Sequence, residues 1–196
     1  MRVALTFDTE HPDRPCTGRT LKLILSSLAG AGAPATFFIQ GRWARSSPDE
    51  ARSISSAGHL IGNHSHHHAP MDSLTDEGFR ADVREAEAII QEVTGVDPRP
   101  WFRCPFGAGM EDPQVLRGLH ELGYRHVGWD VDPRDWHEGR DAEAVERTVL
   151  EAVHAQADSI VLLHSWPDAT AEALPNILAR LGGAGAELVD VGAVSP

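Results

Sequence analysis

Val3-Ala4-Leu5-Thr6-Phe7-Asp8-Thr9-Glu10 opens the chain with strand-forming residues and breaks off into two acids. The same arrangement returns down the sequence. Short apolar runs are expected to form strands over Val3 to Phe7, Ala35 to Ile39, His59 to Gly62, Pro100 to Arg103, His126 to Trp129, Ser159 to Leu163 and Glu187 to Val191. Between them lie longer amphipathic stretches. Short apolar runs alternating with helical periodicity are the pattern of parallel strands joined by helices, an α/β fold of about seven strands and six helices.

The intervening helices have readable starts and stops. Leu21, Ile24, Leu25 and Leu28 make one face of the first, and Gly30, Gly32 and Pro34 end it. Ser47-Pro48-Asp49-Glu50 predicts a second helix with Ser47 as cap and Glu50 completing a capping box. A third starts near Ser73, places Phe79, Val83, Ala86, Ile90 and Val93 on one stripe, and stops at Gly95. The fourth runs from Asp112-Pro113 to Gly123, the fifth from about Asp141 to Ala157, and the sixth lies around Leu174 to Leu181. Gly182 to Ala186 reads as a turn, because it lacks the Lys and Ser/Thr of a phosphate loop.

The 196 residues, 41% hydrophobic and 23% charged, are expected to form one domain spanning 1–196. A formal net charge of -12 argues against nucleic acid as a partner, since binding a phosphate backbone needs a basic surface. Cys16 and Cys104 are too few for a disulfide framework and leave the redox compartment open. No basic leader precedes the first strand, and no segment approaches the ~20 apolar residues that span a bilayer. A soluble protein with no membrane partner is expected, cytoplasmic as given and secreted if a leader was removed. Oligomeric state is not legible.

The reactive residues fall at one end of the strands. Asp8 and Glu10 follow the first, His64 and His68 the third, Arg103 closes the fourth, Asp132 and Asp135 follow the fifth, and His164 follows the sixth. In a barrel-like parallel sheet those ends share one rim, so distant residues converge. His64 and His68 can share a metal if the segment before Pro70 forms a helical turn, and a carboxylate from another strand would leave an open position for water. Asp8 and Glu10 point the same way in an extended strand, so one can bind metal while the other handles protons. Arg103 alone reads equally well as a structural ion pair. His164 ends an apolar run, where a core histidine is the default; convergence with Asp135 would favour an imidazolium and a general acid. Trp136 and Trp166, ordinarily core residues, could wall a sugar site.

Five blocks, in order, resemble the polysaccharide deacetylase family, the NodB-homology or carbohydrate esterase 4 group: Thr6-Phe7-Asp8-Thr9-Glu10, Asn63-His64-Ser65-His66-His67-His68, Arg103-Cys104-Pro105-Phe106-Gly107, Asp132-Pro133-Arg134-Asp135-Trp136 and Leu162-Leu163-His164. Thr36-Phe37-Phe38-Ile39-Gln40-Gly41 also resembles the family's second strand. The resemblance implies a distorted (β/α) barrel of about seven parallel strands and a metal-dependent N-deacetylase. It makes Asp8 the general base, His64 and His68 metal ligands, Arg103 the partner of Asp8, His164 the general acid and Asp135 its tuning partner. Trp136 and Leu162 would wall the pocket, joined by Trp166 and by Phe106, near which a backbone N–H would hold the oxyanion. Thr9 stands where the family's second aspartate binds metal, and Glu10 is the expected replacement. One divalent ion, zinc, is the expected cofactor. The expected substrate is carbohydrate, a small or oligomeric N-acetylated amino sugar; a small non-sugar acetamide and a metal-independent, allantoinase-like C–N hydrolase are the alternatives.

Overall fold

The computed structural model describes residues 1–11, 18–155 and 157–194. Cys16 lies outside the described residues, and Cys104 is a buried free thiol. In chain order the elements are β1 (Arg2–Thr9), α1 (Gly18–Ala31), β2 (Thr36–Ile39), α2 (Gly41–Ser46), α3 (Pro48–Ser56), β3 (Leu60–Asn63) and α4 (Asp76–Thr94). They continue as β4 (Trp101–Phe102), α5 (Pro113–Glu121), β5 (Arg125–His126), α6 (Ala142–Val153), β6 (Asp158–His164), α7 (Asp168–Gly183), β7 (Glu187–Val189) and α8 (Val191–Val194).

All strand pairs are parallel, in the order β5-β4-β3-β2-β1-β6. β6 accompanies β1 from Arg2 to Asp8, while β2 pairs with Thr6 to Thr9 and β7 with Arg2 to Ala4. The first strand is thus held along its length. Beyond β5 the chain crosses to the far edge of the sheet, where Val131 bridges Val161 and Leu162 N–H donates to Val131 O at 2.8 Å. That contact curls the sheet into a distorted (β/α) barrel.

Alternation along β1 separates the two sides of this wall, because successive side chains of a strand point to opposite faces. Val3, Leu5 and Phe7 join the large core beneath the helices, with Phe7 stacked on Phe37 at 4.9 Å between ring centres. Ala4 belongs instead to a small inner cluster with Phe38, Trp101, Val127 and Val191. Thr6 and Asp8 share that inner parity. Burial of aliphatic and aromatic side chains on the helix side, at about 25 cal/mol per Å² of apolar area, stabilises the scaffold so that the inner face can carry polar groups.

Several local expectations change. The helix expected from Ser73 begins at Asp76, because Thr75 is the residue whose hydroxyl accepts a cap bond, from Gly78 N–H, whereas the Ser73 hydroxyl is spent on Pro70 O. It does stop at Gly95, at φ 74°. Ser47 makes no side-chain cap bond; its N–H closes α2 onto Trp43 O, so it is shared between two helices. α2 itself was not legible: six residues, opened by a glycine, with no capping side chain. It forms because tertiary contact supplies what the sequence lacks, Trp43 being buried and Gly41 N–H donating to Ser65 O.

Candidate active site

The rim at the strand C-termini opens into a cleft of about 570 Å³, lined among others by Asp8, Glu10, His68, His164, Trp136 and Trp166. Phe106 and Leu162 complete the predicted wall. Three residues named from sequence stand behind the surface: His64 beneath Glu10 and His68, Arg103 behind Asp8, and Asp135 behind His164.

Arg103 is fully buried and spends its guanidinium on four acceptors: Thr6 Oγ1 (2.8 Å), Asp8 Oδ1 (2.9 Å), Val127 O (3.2 Å) and Gly128 O (3.0 Å). Its Cζ also lies 4.1 Å from the centre of the Phe38 ring. Burial pulls its pKa down, and the neighbouring Asp8 carboxylate works in the opposite direction. The turned carbonyls of Val127 and Gly128 explain why β5 ends at His126, short of the Trp129 expected from the apolar run.

The Asn63–His68 segment is not the helical turn expected from its spacing. Ser65 and His68 take left-handed backbone angles, φ 63° and 59°, and the loop is held by side chains that accept from its amides. Asn63 Oδ1 accepts from Ser65 N–H, Ser65 Oγ from His68 N–H, and buried Asp82 of α4 from the N–H groups of both His66 and His67. Those bonds replace the helix ladder, and His64 and His68 converge through a folded loop. Their Nε2 atoms are 3.2 Å apart, while His64 Nδ1 donates to Arg103 O at 2.9 Å, which fixes its tautomer.

Glu10 points between these rings. Its Oε2 is 3.3 Å from His64 Nε2 and in close contact with His68 Nε2. That oxygen is buried, and among the described residues its polar contacts are those two rings. Burial acts to raise the Glu10 pKa, but His11, His64 and His68 outweigh it and hold the carboxyl well below the usual range. For His64, burial is likewise outweighed, by Asp8 and Glu10, and its pKa rises; at His68 burial prevails and lowers it. Asp8 already faces the Arg103 guanidinium, whereas the described partners of Glu10 are imidazoles, so this carboxylate is placed to attract a cation. Two imidazole nitrogens and a carboxylate oxygen in that arrangement fit a divalent cation.

On the other side of the cleft Asp135 grips His164 twice, accepting from its Nδ1–H and its backbone N–H, both at 2.7 Å, and also from Thr170 Oγ1 at 2.5 Å. Burial would depress the imidazolium, but the Asp135 carboxylate overrides it and lifts His164 to about 9. The ring is therefore a proton carrier at neutral pH. Sequence reading passed over Thr6, Thr170 and Asp82, each a supporting partner, and His11, whose Nε2 lies 2.8 Å from Glu10 Oε1. Glu10, His11 and His68 also bring one ligand atom each within 4.8 Å of one another. The Nε2 atoms of His64 and His68 and Oε2 of Glu10 lie within 3.3 Å of one another.

Residues 1–127 match the family model described as polysaccharide deacetylase. The chain belongs to the polysaccharide deacetylase family. It is 31% identical over 191 residues to a peptidoglycan-N-acetylglucosamine deacetylase of Bacillus cereus, covering 95% of this chain and 66% of that one. A chitooligosaccharide deacetylase of Azorhizobium caulinodans is 34% identical over 164 residues, covering 83% and 72%. Among solved structures, a CE4-family pseudoenzyme from Bacillus anthracis superposes with a TM-score of 0.87 at 26% identity, over 98% of this chain and 64% of its own. This polysaccharide deacetylase chain thus spans about two thirds of the length of such relatives. The family match ends before Asp135 and His164, but the B. cereus alignment is long enough to contain both.

Proposed function

We propose that the protein is a metal-dependent N-deacetylase that hydrolyses the acetamide of an N-acetylated amino sugar to acetate and a free amine. What carries the reading is Glu10 Oε2, a buried oxygen whose polar contacts among the described residues are the Nε2 atoms of His64 and His68. Glu10, His64 and His68 would hold the ion, with zinc favoured by the mixed nitrogen and oxygen donors. When bound, a divalent cation supplies Lewis acidity toward an amide carbonyl and toward water.

The protein's own groups divide the remaining work. Asp8 has Oδ1 fixed by Arg103, which leaves Oδ2, on the His64 side, to take a proton from the attacking water. His164, with Nδ1 bound to Asp135, keeps Nε2 to deliver a proton to the departing nitrogen. A backbone N–H near Phe106, which itself adopts φ 57° on the cleft wall, would help hold the oxyanion. Phe106 and Trp136 are 68% and 44% exposed at the rim, an apolar stacking surface for a sugar ring. A cleft of about 570 Å³ suits one or two rings, which favours a short oligosaccharide. The names of the relatives, peptidoglycan and chitooligosaccharide deacetylases, support the substrate class.

The competing metal-independent, allantoinase-like reading is opposed by the same Glu10–His64–His68 cluster, which it leaves without a use. A pseudoenzyme reading calls for loss of the base or the acid, and Asp8 and His164 both line the cleft. Metal analysis of purified protein, paired with acetate release from N-acetylglucosamine monomers, short oligomers and insoluble polymer, tests the proposal. About one divalent ion per chain and chelator-sensitive acetate release are expected. Retention of full metal occupancy in Glu10→Ala would remove the ligand assignment, and rates that climb steadily to the polymer would remove the short substrate.

A further inference from the structure

Glu10 is a residue of unequal oxygens. Oε2 lies between the Nε2 atoms of His64 and His68, whereas Oε1 lies 2.8 Å from His11 Nε2 and 3.9 Å from His164 Nε2. In an extended continuation of β1, residue 11 would face away from residue 10. His11 instead turns through φ 62°, an uncommon angle for a non-glycine residue, and its ring comes back over the Glu10 carboxylate. Such a backbone conformation persists where its surroundings over-determine it. They do so here: His11 N–H donates to Oε1 of Gln40 at 3.2 Å, and buried Gln40 in turn donates its own N–H to Thr9 O at 3.0 Å. The imidazole packs edge-on to His68 at 5.0 Å and to Trp166 at 6.1 Å between ring centres.

We infer that His11 is a positioning residue: its Nε2–H fixes one oxygen of Glu10 so that the other is presented singly to a divalent cation between His64 and His68. The inference rests on the ligand set proposed above. It answers a problem set by Thr9, which occupies the place where a shorter acid is expected. Moving the carboxylate one residue on, to a side chain longer by one methylene, adds a torsion that must be held, and a charge-assisted hydrogen bond from His11 holds it. His11 is itself a poor choice as ligand. Its Nε2 is committed to Oε1, while the Nε2 atoms of His64 and His68 flank Oε2.

The test measures zinc and cobalt affinity of metal-stripped protein by competition with a chromophoric chelator, for wild type, His11→Leu, His11→Gln and Glu10→Ala, each checked for native circular dichroism. His11→Leu should bind zinc about 10–100-fold more weakly, the range for loss of a partner that orients a ligand. His11→Gln, which retains an N–H donor of similar reach, should recover most of that loss. The visible absorption of the cobalt form should be the same in His11→Gln as in wild type, since no ligand has changed. Wild-type affinity in folded His11→Leu overturns the inference. So does a shifted cobalt spectrum with equal affinity loss in both His11 variants, which would make His11 a ligand. Wild-type affinity in Glu10→Ala would instead overturn the ligand set, and this inference with it.

Discussion

Arg103→Met should unfold at a markedly lower denaturant concentration, and the loss should depend on Asp8. The guanidinium is fully buried and bonded to Thr6, Asp8, Val127 and Gly128. Methionine preserves contact with Phe38 but strands a carboxylate and two carbonyls. Removing one partner of a buried ion pair costs about 3–5 kcal/mol. Asp8 borders the cleft, where water can reach one oxygen, so the lower figure applies. With a urea slope of about 2 kcal/mol per M, a loss of about 3 kcal/mol lowers the midpoint by about 1.5 M. The measurement belongs in chelator, because a bound ion stabilises the native state by its own mass action. Asp8→Asn removes the stranded charge, so Arg103→Met added to it should cost less, with a coupling of about 1.5 kcal/mol or more in the double-mutant cycle. A midpoint shift under about 0.3 M, which corresponds to about 0.6 kcal/mol at that slope, or a cycle that closes additively, would refute this account of the pair.

Other consequences are equally open to measurement. As the proposed general acid His164 acts in its protonated form, and it is lifted to about 9, so turnover should persist through neutral pH and fall as pH rises past that value. In Asp135→Asn the raising carboxylate is gone while burial stays, so the alkaline limb of the kcat profile should move to lower pH; an unmoved limb would separate Asp135 from the acid. Asp82→Ala frees the His66 and His67 amides and should weaken zinc binding by about tenfold without touching a proposed ligand, as read by chelator competition. Gly41→Ala would set a methyl 2.6 Å from His66 Nδ1 and 2.9 Å from the Ala86 Cα, and overpacking of that kind should cost about 1–3 kcal/mol in urea titration.

The fold was legible wherever hydrophobic period and position in the chain agreed. β1, β2, β3 and β6 lie within a residue or two of their apolar runs, and α4 carries the stripe read from Phe79 onward. What failed was local structure made by distant partners. The six-residue α2 depends on Ser65, and the early end of β5 on the Arg103 guanidinium. The site followed the same division. Placing acids and imidazoles at strand ends needs only the parity and direction of strands, so their convergence could be anticipated. The shape of the His64–His68 segment could not, because it is set by Asp82, fourteen residues beyond His68 on another element. His11 escaped notice because only a positive φ turns its ring toward Glu10, and nothing in Glu10-His11 announces one.

The double engagement of β1, by β6 on one edge and by β7 and β2 in succession on the other, sets a hierarchy of local opening. Amides in a strand paired on both edges exchange with solvent only when the sheet comes apart, whereas a loop tied by a few side-chain bonds can open alone. Asp8 therefore sits in a strand bonded at both edges, with His64 close by and its N–H held by Ile39 O, whereas His68 hangs on the Ser65 hydroxyl at the outer end of the loop. Of the three proposed ligands, His68 is the one whose backbone such local opening would release first.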